Sequence, residues 1–189
     1  MNQQRSVTIL ISAYFLFSIA YLDAQTYFTK EGVISFYSHT PLEEIEAVNE
    51  KAVSIVDFDN QKVEFSVLIK GFLFKNALMQ THFNENYMES DQYPKAKFKS
   101  IEVDLSKLDL DKDGEYVIPV MGILNVKEKD KEIQTDVIFV VKDGVFSARC
   151  NFVVSPSDFD IEIPSLVKGK IAENIQVEVS ADYQLYTKS

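Results

Sequence analysis

Period-two alternation constrains this chain more than any other feature. In "NIQVEVSADYQLY", Ile175, Val177, Val179, Ala181, Tyr183 and Leu185 alternate with Gln176, Glu178, Ser180, Asp182 and Gln184. Successive side chains of a strand point to opposite faces, so this pattern predicts a strand with one dry and one wet face. The same reading holds elsewhere. "KVEFSVLIK" places Val63, Phe65, Val67 and Ile69 on one side, with only Leu68 breaking the rule. "IQTDVIFVV" offers Ile133, Val137, Phe139 and Val141, and "VFSARCNFVV" offers Phe146, Ala148, Cys150, Phe152 and Val154. Strands wetted on one face belong to antiparallel sheets.

Turn residues punctuate these runs. "DFDNQK" separates two of them, and Asp143-Gly144 is the two-residue signal of a type I′ hairpin. "KEKDKE", residues 127 to 132, is expected to close the strand that runs from Val117 to Val126. One stretch differs: "NALMQTHFNENYMES", residues 76 to 90, spaces Leu78, Met79, Phe83 and Tyr87 as a helix would. Tyr93-Pro94 ends it, since proline disfavours helix in the residue before it. A second short helix is expected after Pro41, where Leu42 and Ile45 stand three apart. No linker or repeat divides the chain, so it reads as one all-β domain. Many antiparallel strands with one or two short α-helices suggest a barrel, which has no edge strands to protect.

The first residues read separately. Arg5 precedes an uncharged, largely apolar run from Val7 to Leu22, and small residues Ser18, Ala20 and Ala24 sit where a peptidase would cut. Residues 1–24 are therefore expected to be a cleaved signal peptide in preference to an uncleaved anchor, with a cut after Ala24 or alternatively after Ala20, and the mature protein to be exported, periplasmic or secreted.

Charge and chemistry exclude several classes. The net charge is −10, and loss of Arg5 and Asp23 with the leader leaves it unchanged. Nucleic acid and anionic lipid both demand clustered Lys and Arg, so neither is an expected partner. "DLDKDG", residues 109 to 114, copies the first half of a calcium loop, but the twelfth position is Val120, which has no oxygen to give. It reads as an acidic turn, and no metal or other cofactor is expected. Cys150 is the only cysteine and falls on an apolar strand face, which predicts a buried, unreactive thiol. The two histidines, His39 and His82, lack zinc-helix spacing, and no nucleophile elbow or phosphate loop is present. His82 stands three residues from Glu85, but its expected role is to anchor the helix by a hydrogen bond. An enzyme is not expected.

Three segments carry a family resemblance: "ISFYSHTPLEEIEAVN", "FLFKNALMQTHFNENYMESDQYPKAKFKS" and "PSDFDIEIP". The middle one is the most specific, with His82-Phe83, a short helix, Tyr93-Pro94, and Phe98 and Ser100 in an F-x-S pattern. Over residues 26–186 the chain resembles the YceI-like, lipid/polyisoprenoid-binding family. The resemblance implies a lipocalin-like, antiparallel eight-stranded β-barrel whose apolar tunnel holds a polyisoprenoid or another long-chain amphiphile. The sequence departs from the family at one place. Gly122 and Leu124 of a Gly-x-Leu-x-x-His-Gly stretch remain, but Lys127 and Glu128 replace its His-Gly. A role tied to that histidine is not carried over.

A barrel of this size is either filled by its own side chains or holds one small ligand. Fourteen Phe and nine Tyr, with no Trp, suit flat walls around an isoprenoid chain. The inward candidates are Phe65, Val67, Ile69, Val137, Phe139, Phe146, Phe152, Ile175, Val177 and Val179, with Phe72, Phe74 and Met79 as lid residues. The competing reading is a secreted interaction barrel with a packed core and no ligand. The pattern leaves a homodimer open.

Overall fold

The structure, a computed structural model, describes residues 25–187. The expected leader lies outside the described residues. The alternating runs form long strands: β1 (Thr26–His39), β2 (Glu44–Asp57), β3 (Lys62–Leu68), β5 (Lys95–Val103), β6 (Gly114–Val126), β7 (Lys129–Lys142), β8 (Val145–Val154) and β9 (Ile175–Leu185). A two-residue strand, β4 (Leu73–Phe74), only extends the sheet beside the start of β2. Neighbouring strands pair antiparallel, and β1 bonds to both β2 and β9, so eight strands close into the expected barrel.

Of the expected helices, one forms. In α1 (Ala77–His82), the Asn76 side chain accepts from the N–H groups of Leu78 and Met79 and so caps two otherwise unpaired donors. The helix continues as a wider turn through Tyr87, where the Met88 N–H reaches back to the Phe83 carbonyl at 2.9 Å. No helix follows Pro41. Thr40 Oγ1 accepts from the N–H groups of Leu42 and Glu43 at 3.2 and 3.0 Å, making a tight turn instead. The β1–β2 ladder runs to His39 opposite Glu44, so Ile45 belongs to a strand and its spacing from Leu42 has no helical meaning.

The charged stretch after Val126 also differs from expectation. Only Lys127 and Glu128 form the turn, both left-handed (φ 49° and 61°), and β7 resumes at Lys129 opposite Val126. Charge alone does not mark a loop when one strand face is wet. Asp143-Gly144 forms the two-residue hairpin turn between β7 and β8, with φ 53° and 77°.

The two ends of the barrel are unlike. At one end lie the β2–β3, β5–β6 and β7–β8 turns, and here the interior is solid. Phe146 stacks on Tyr183 with ring centroids 4.8 Å apart and meets Tyr27 at 5.0 Å. Val56, Ile118, Phe139 and Val141 pack around them. Leu105 and Leu108, from the loop after β5, fold in beneath. That loop contains "DLDKDG", so its apolar half plugs the barrel. Its acids face outward, where Asp109 accepts from the Asp111 N–H at 3.1 Å and Asp113 from the Asp143 N–H at 2.9 Å. Among the described residues no cluster of three metal-ligating side chains occurs. At the opposite end α1 and the long β8–β9 loop lie over the strand ends.

Candidate functional site: an apolar cavity in the open half of the barrel

Above the plug the inward side chains no longer meet across the axis. They enclose a cavity of about 640 Å³. Phe65, Val137, Phe152, Ile175, Val177 and Val179 line it and are only half-buried, because one face of each borders empty space. Val67 and Ile69 line it from buried positions, and Phe139 lies in its floor with Val120, Ala181 and Tyr183. Phe72 and Phe74 also line it, but as wall and not as lid. They pack with Phe36 and Phe83 at ring-centroid distances of 5.0 to 5.8 Å, in tilted and edge-on pairs that aromatic quadrupoles favour. Met79 does sit at the mouth, on α1 beside Leu78.

Phe146 is the exception among the inward candidates. It does not border the cavity; it belongs to the plug below. Alternation places a side chain on the inner face but says nothing of its height along the axis, and height decides between plug and cavity.

The lining extends beyond the strands named from their alternation. Phe36 shares an alternating run with Ile34, and Phe159, Ile161 and Ile163 alternate within "FDIEIP", a segment that forms a 3₁₀ turn and loop instead of a strand. Period two was visible in both. Phe98 reaches the cavity past Gly122, which pairs with Ser100 on the neighbouring strand and has no side chain in the way. A Cβ there would fall 2.4 Å from the Phe98 ring and 2.4 Å from the Lys99 carbonyl oxygen.

The floor and walls are largely apolar. Tyr183 donates to Ser54 Oγ at 2.7 Å, and Ser54 donates in turn to the Glu64 carbonyl at 3.0 Å, so both buried hydroxyls are satisfied. Burial pushes the Tyr183 phenol up to about 12, against a smaller opposing effect of the Ser54 bond. Cys150 faces the cavity, and burial pushes its thiol up to about 11. It is half-buried, with the cavity on its open side. Polar groups gather at the mouth: Glu43 and Lys170 3.8 Å apart, Asn76, and His82.

His82 does not anchor the helix. Its side chain is exposed at the mouth, with no hydrogen bond from the imidazole to any described residue and none to Glu85. His39 pairs with Glu44 at 3.1 Å on the outer rim. The two histidines belong to separate elements and are not assembled into one site.

A different residue fastens the segment that follows α1. Lys127, at the tip of the β6–β7 turn, is only 11% exposed in its side chain. Its Nζ donates to the Tyr87 carbonyl at 3.0 Å and to Glu89 at 2.5 Å, and lies 5.7 Å from the Tyr93 ring centre. This is the position where the family pattern carries histidine.

The wall is incompletely laddered where β7 meets β8. The β7–β8 ladder spans only Ile138–Lys142 against Val145–Arg149, whereas β6 and β7 pair along their whole length. Toward the mouth the two strands are joined by side chains. Thr135 Oγ1 donates to the Asn151 carbonyl at 2.8 Å, and nearer the mouth Lys131 meets Asp158 at 2.8 Å and Lys129 meets Asp160 at 2.6 Å, both acids in the turn that follows β8.

A closed antiparallel barrel, solid at one end and hollow and apolar at the other, defines a lipocalin-like ligand-barrel architecture. The YceI-like domain model matches residues 27–183, and the chain belongs to that family. Among solved structures, a polyisoprenoid-binding domain from Saccharophagus degradans, implicated in plant cell wall breakdown, has a TM-score of 0.76 at 11% identity. The match covers 86% of this chain and 99% of that one. Burkholderia cenocepacia BcnA gives 0.69 at 15% identity, over 81% of this chain and 96% of its own. The Campylobacter jejuni YCEI protein gives 0.53 at 15% identity, over 97% and 94%. At such identities the likeness establishes the fold. No curated protein sequence matches the chain.

Proposed function

We infer that this protein is an exported carrier that holds a long apolar chain, a polyisoprenoid or a similar amphiphilic lipid, inside the barrel for storage or transport. The observation that carries the reading is the cavity, about 640 Å³ in volume, with apolar side chains over nearly all of its wall. Natural ligand sites fall in this size range. Family membership and the polyisoprenoid-binding domain of like fold support the same ligand class.

The physical sum is adequate. Burying apolar surface contributes about 25 cal/mol per Å², so roughly 330 Å² of ligand surface supplies the ~8 kcal/mol of a micromolar complex before ordering costs. The plug makes the cavity blind, which favours a ligand with one apolar tail lying toward Tyr183. Its polar end is left near Glu43 and Lys170, where charged groups stand. The leader-like residues 1–24 support export. The roles fit binding and not catalysis, since neither histidine stands in an assembled acid–base or metal site. A packed, ligand-free barrel is the reading that the hollow half argues against.

Native mass spectrometry of protein from its own host tests this. A lipid-sized mass increment, removed by organic extraction and restored by a long-chain prenyl alcohol, is the expected result. Protein that carries nothing and takes up no prenyl chain would overturn the proposal.

A further inference from the structure

The outer surface around the mouth has a character of its own. The four most exposed large apolar side chains among the described residues are Leu166 (92%), Leu42 (70%), Leu73 (65%) and Leu78 (61%). All four belong to elements at the mouth end. Leu42 is in the β1–β2 turn, Leu73 in β4, Leu78 in α1, and Leu166 in the 3₁₀ turn of the β8–β9 loop. The first and last of these elements touch, since a Cβ on Gly169 would come within 3.3 Å of Leu42 Cδ1. Leu73 lies between Phe72 and Phe74, which turn inward to the cavity, so it turns outward. The solid end exposes apolar side chains as well, among them Val145 (57%), Val117 (56%), Tyr186 (53%) and Leu185 (50%), but each less than the four leucines and none around an opening.

We propose that this leucine ring docks reversibly on the surface of a lipid bilayer, so that the mouth opens against the membrane. The inference rests on the reading of the cavity as a lipid site. A long apolar chain loses about fourfold in aqueous solubility with each CH₂, so it has to pass between cavity and membrane without crossing water. A mouth framed by apolar side chains satisfies that requirement. The ring also suits a bilayer better than a protein. Its leucines project from separate turns around a hole and do not form one continuous flat face, and a protein partner covering them would seal the mouth.

The charges state which bilayer. Lys70, Lys75 and Lys170 near the ring are each paired, with Asp91, Glu46 and Glu43, which leaves Lys168 beside Leu166 as a single cation without an ion pair among the described residues and no basic cluster. With a net charge of −10, the protein has no cationic field to draw it to anionic lipid. Docking is by insertion of leucines into the interface and is therefore insensitive to salt.

Flotation of the exported protein with phosphatidylcholine vesicles tests the proposal against the double variant Leu42→Asp/Leu166→Asp. Both proteins keep the same N-terminus, so the difference between them reads the ring alone. The wild type is expected to float, equally at low and high salt, and the variant to partition at least about tenfold less. Both replaced side chains are exposed, so the thermal midpoint is expected to stay the same. Equal flotation of the two proteins overturns the inference. So does wild type that stays with the bulk, or that floats only with anionic vesicles at low salt. A wild-type dimer that the double substitution dissociates, without vesicle binding, assigns the ring to a second copy and also overturns it. Bound-lipid mass, read on both proteins, separates the two ideas. Lipid in both with no flotation sinks the docking ring alone; no lipid in either sinks the carrier reading, whatever floats.

Discussion

The hydroxyls of Tyr183 and Ser54 meet 2.7 Å apart across the inner face of β1, joining strands β9 and β2 through residues 129 positions apart. The phenol is held neutral by burial, its pKa pushed up to about 12 from 10. When pH rises past 10 the unfolded chain ionises this group and the folded one does not. Stability from this source is therefore complete below pH 10 and is lost as pH climbs to about 12. Cys150 acts in the same direction from pH 9 to about 11. The tyrosine contributes roughly 2 to 3 kcal/mol of alkaline loss. Urea unfolding from pH 8 to 12 is expected to show this fall. Tyr183→Phe should cost about 1 kcal/mol at neutral pH but flatten the slope above pH 10. An unchanged slope contradicts the assignment.

Plug and cavity should answer differently to the same added bulk. Val177→Phe places a ring into open space, so lipid uptake should be lost while the melting temperature holds or rises. Val141→Phe forces a ring into the packed end and should cost about 1 to 3 kcal/mol, with uptake retained. Paired thermal scans and bound-lipid mass spectra read both. Equal destabilisation by the two would mean that the hollow half is filled in solution.

Gly122 should tolerate no side chain. Its absent Cβ is what lets the Phe98 ring and the Lys99 carbonyl approach, each within 2.4 Å of where that atom would stand. Part of the clash is with backbone, which cannot swing aside as a side-chain tip can. Gly122→Ala is expected to cost about 1 to 3 kcal/mol. The double change Gly122→Ala/Phe98→Leu should recover part of that loss, as chemical denaturation would show.

The tip of the β6–β7 turn offers two opposite outcomes. Lys127→Met leaves the Tyr87 carbonyl without its donor, for a loss of about 1 to 3 kcal/mol. Hydrogen exchange of the Met88, Ser90 and Tyr93 amides should quicken with it. Glu128→Gly relieves a left-handed backbone at φ 61° and should stabilise by about 1 kcal/mol. Unchanged exchange over residues 87–94 in the lysine variant would remove Lys127 from its fastening role.

The strands and their inward faces were legible because burial on one side writes itself as period two. Ile175 to Leu185 shows this without a break. The helix start was legible in its spacing, but the false helix after Pro41 came from a spacing of three that a turn and a strand can share. Phe146 was misplaced for a different reason. Plug and wall carry the same alternation, and only the loop residues Leu105 and Leu108, folded in from outside the strand pattern, settle which end is solid. Lys127 was read as a lost histidine, since a sequence shows a substitution but not the carbonyl and carboxylate it can reach. The cavity itself has no sequence signal, being the space where long side chains fall short of one another.

The seam between β7 and β8 has one further consequence. A peptide ladder fixes neighbouring strands about 4.8 Å apart, and a wall laddered on every side has one girth. Here the part of that wall toward the mouth is held by a threonine hydroxyl and two lysine–carboxylate pairs, whose flexible arms tie it less firmly than a ladder. The molecule is thus a stiff cup at its base and a looser cuff at its rim along the β7–β8 line, so on the carrier reading a thicker chain would be accommodated there while the base sets the length that fits.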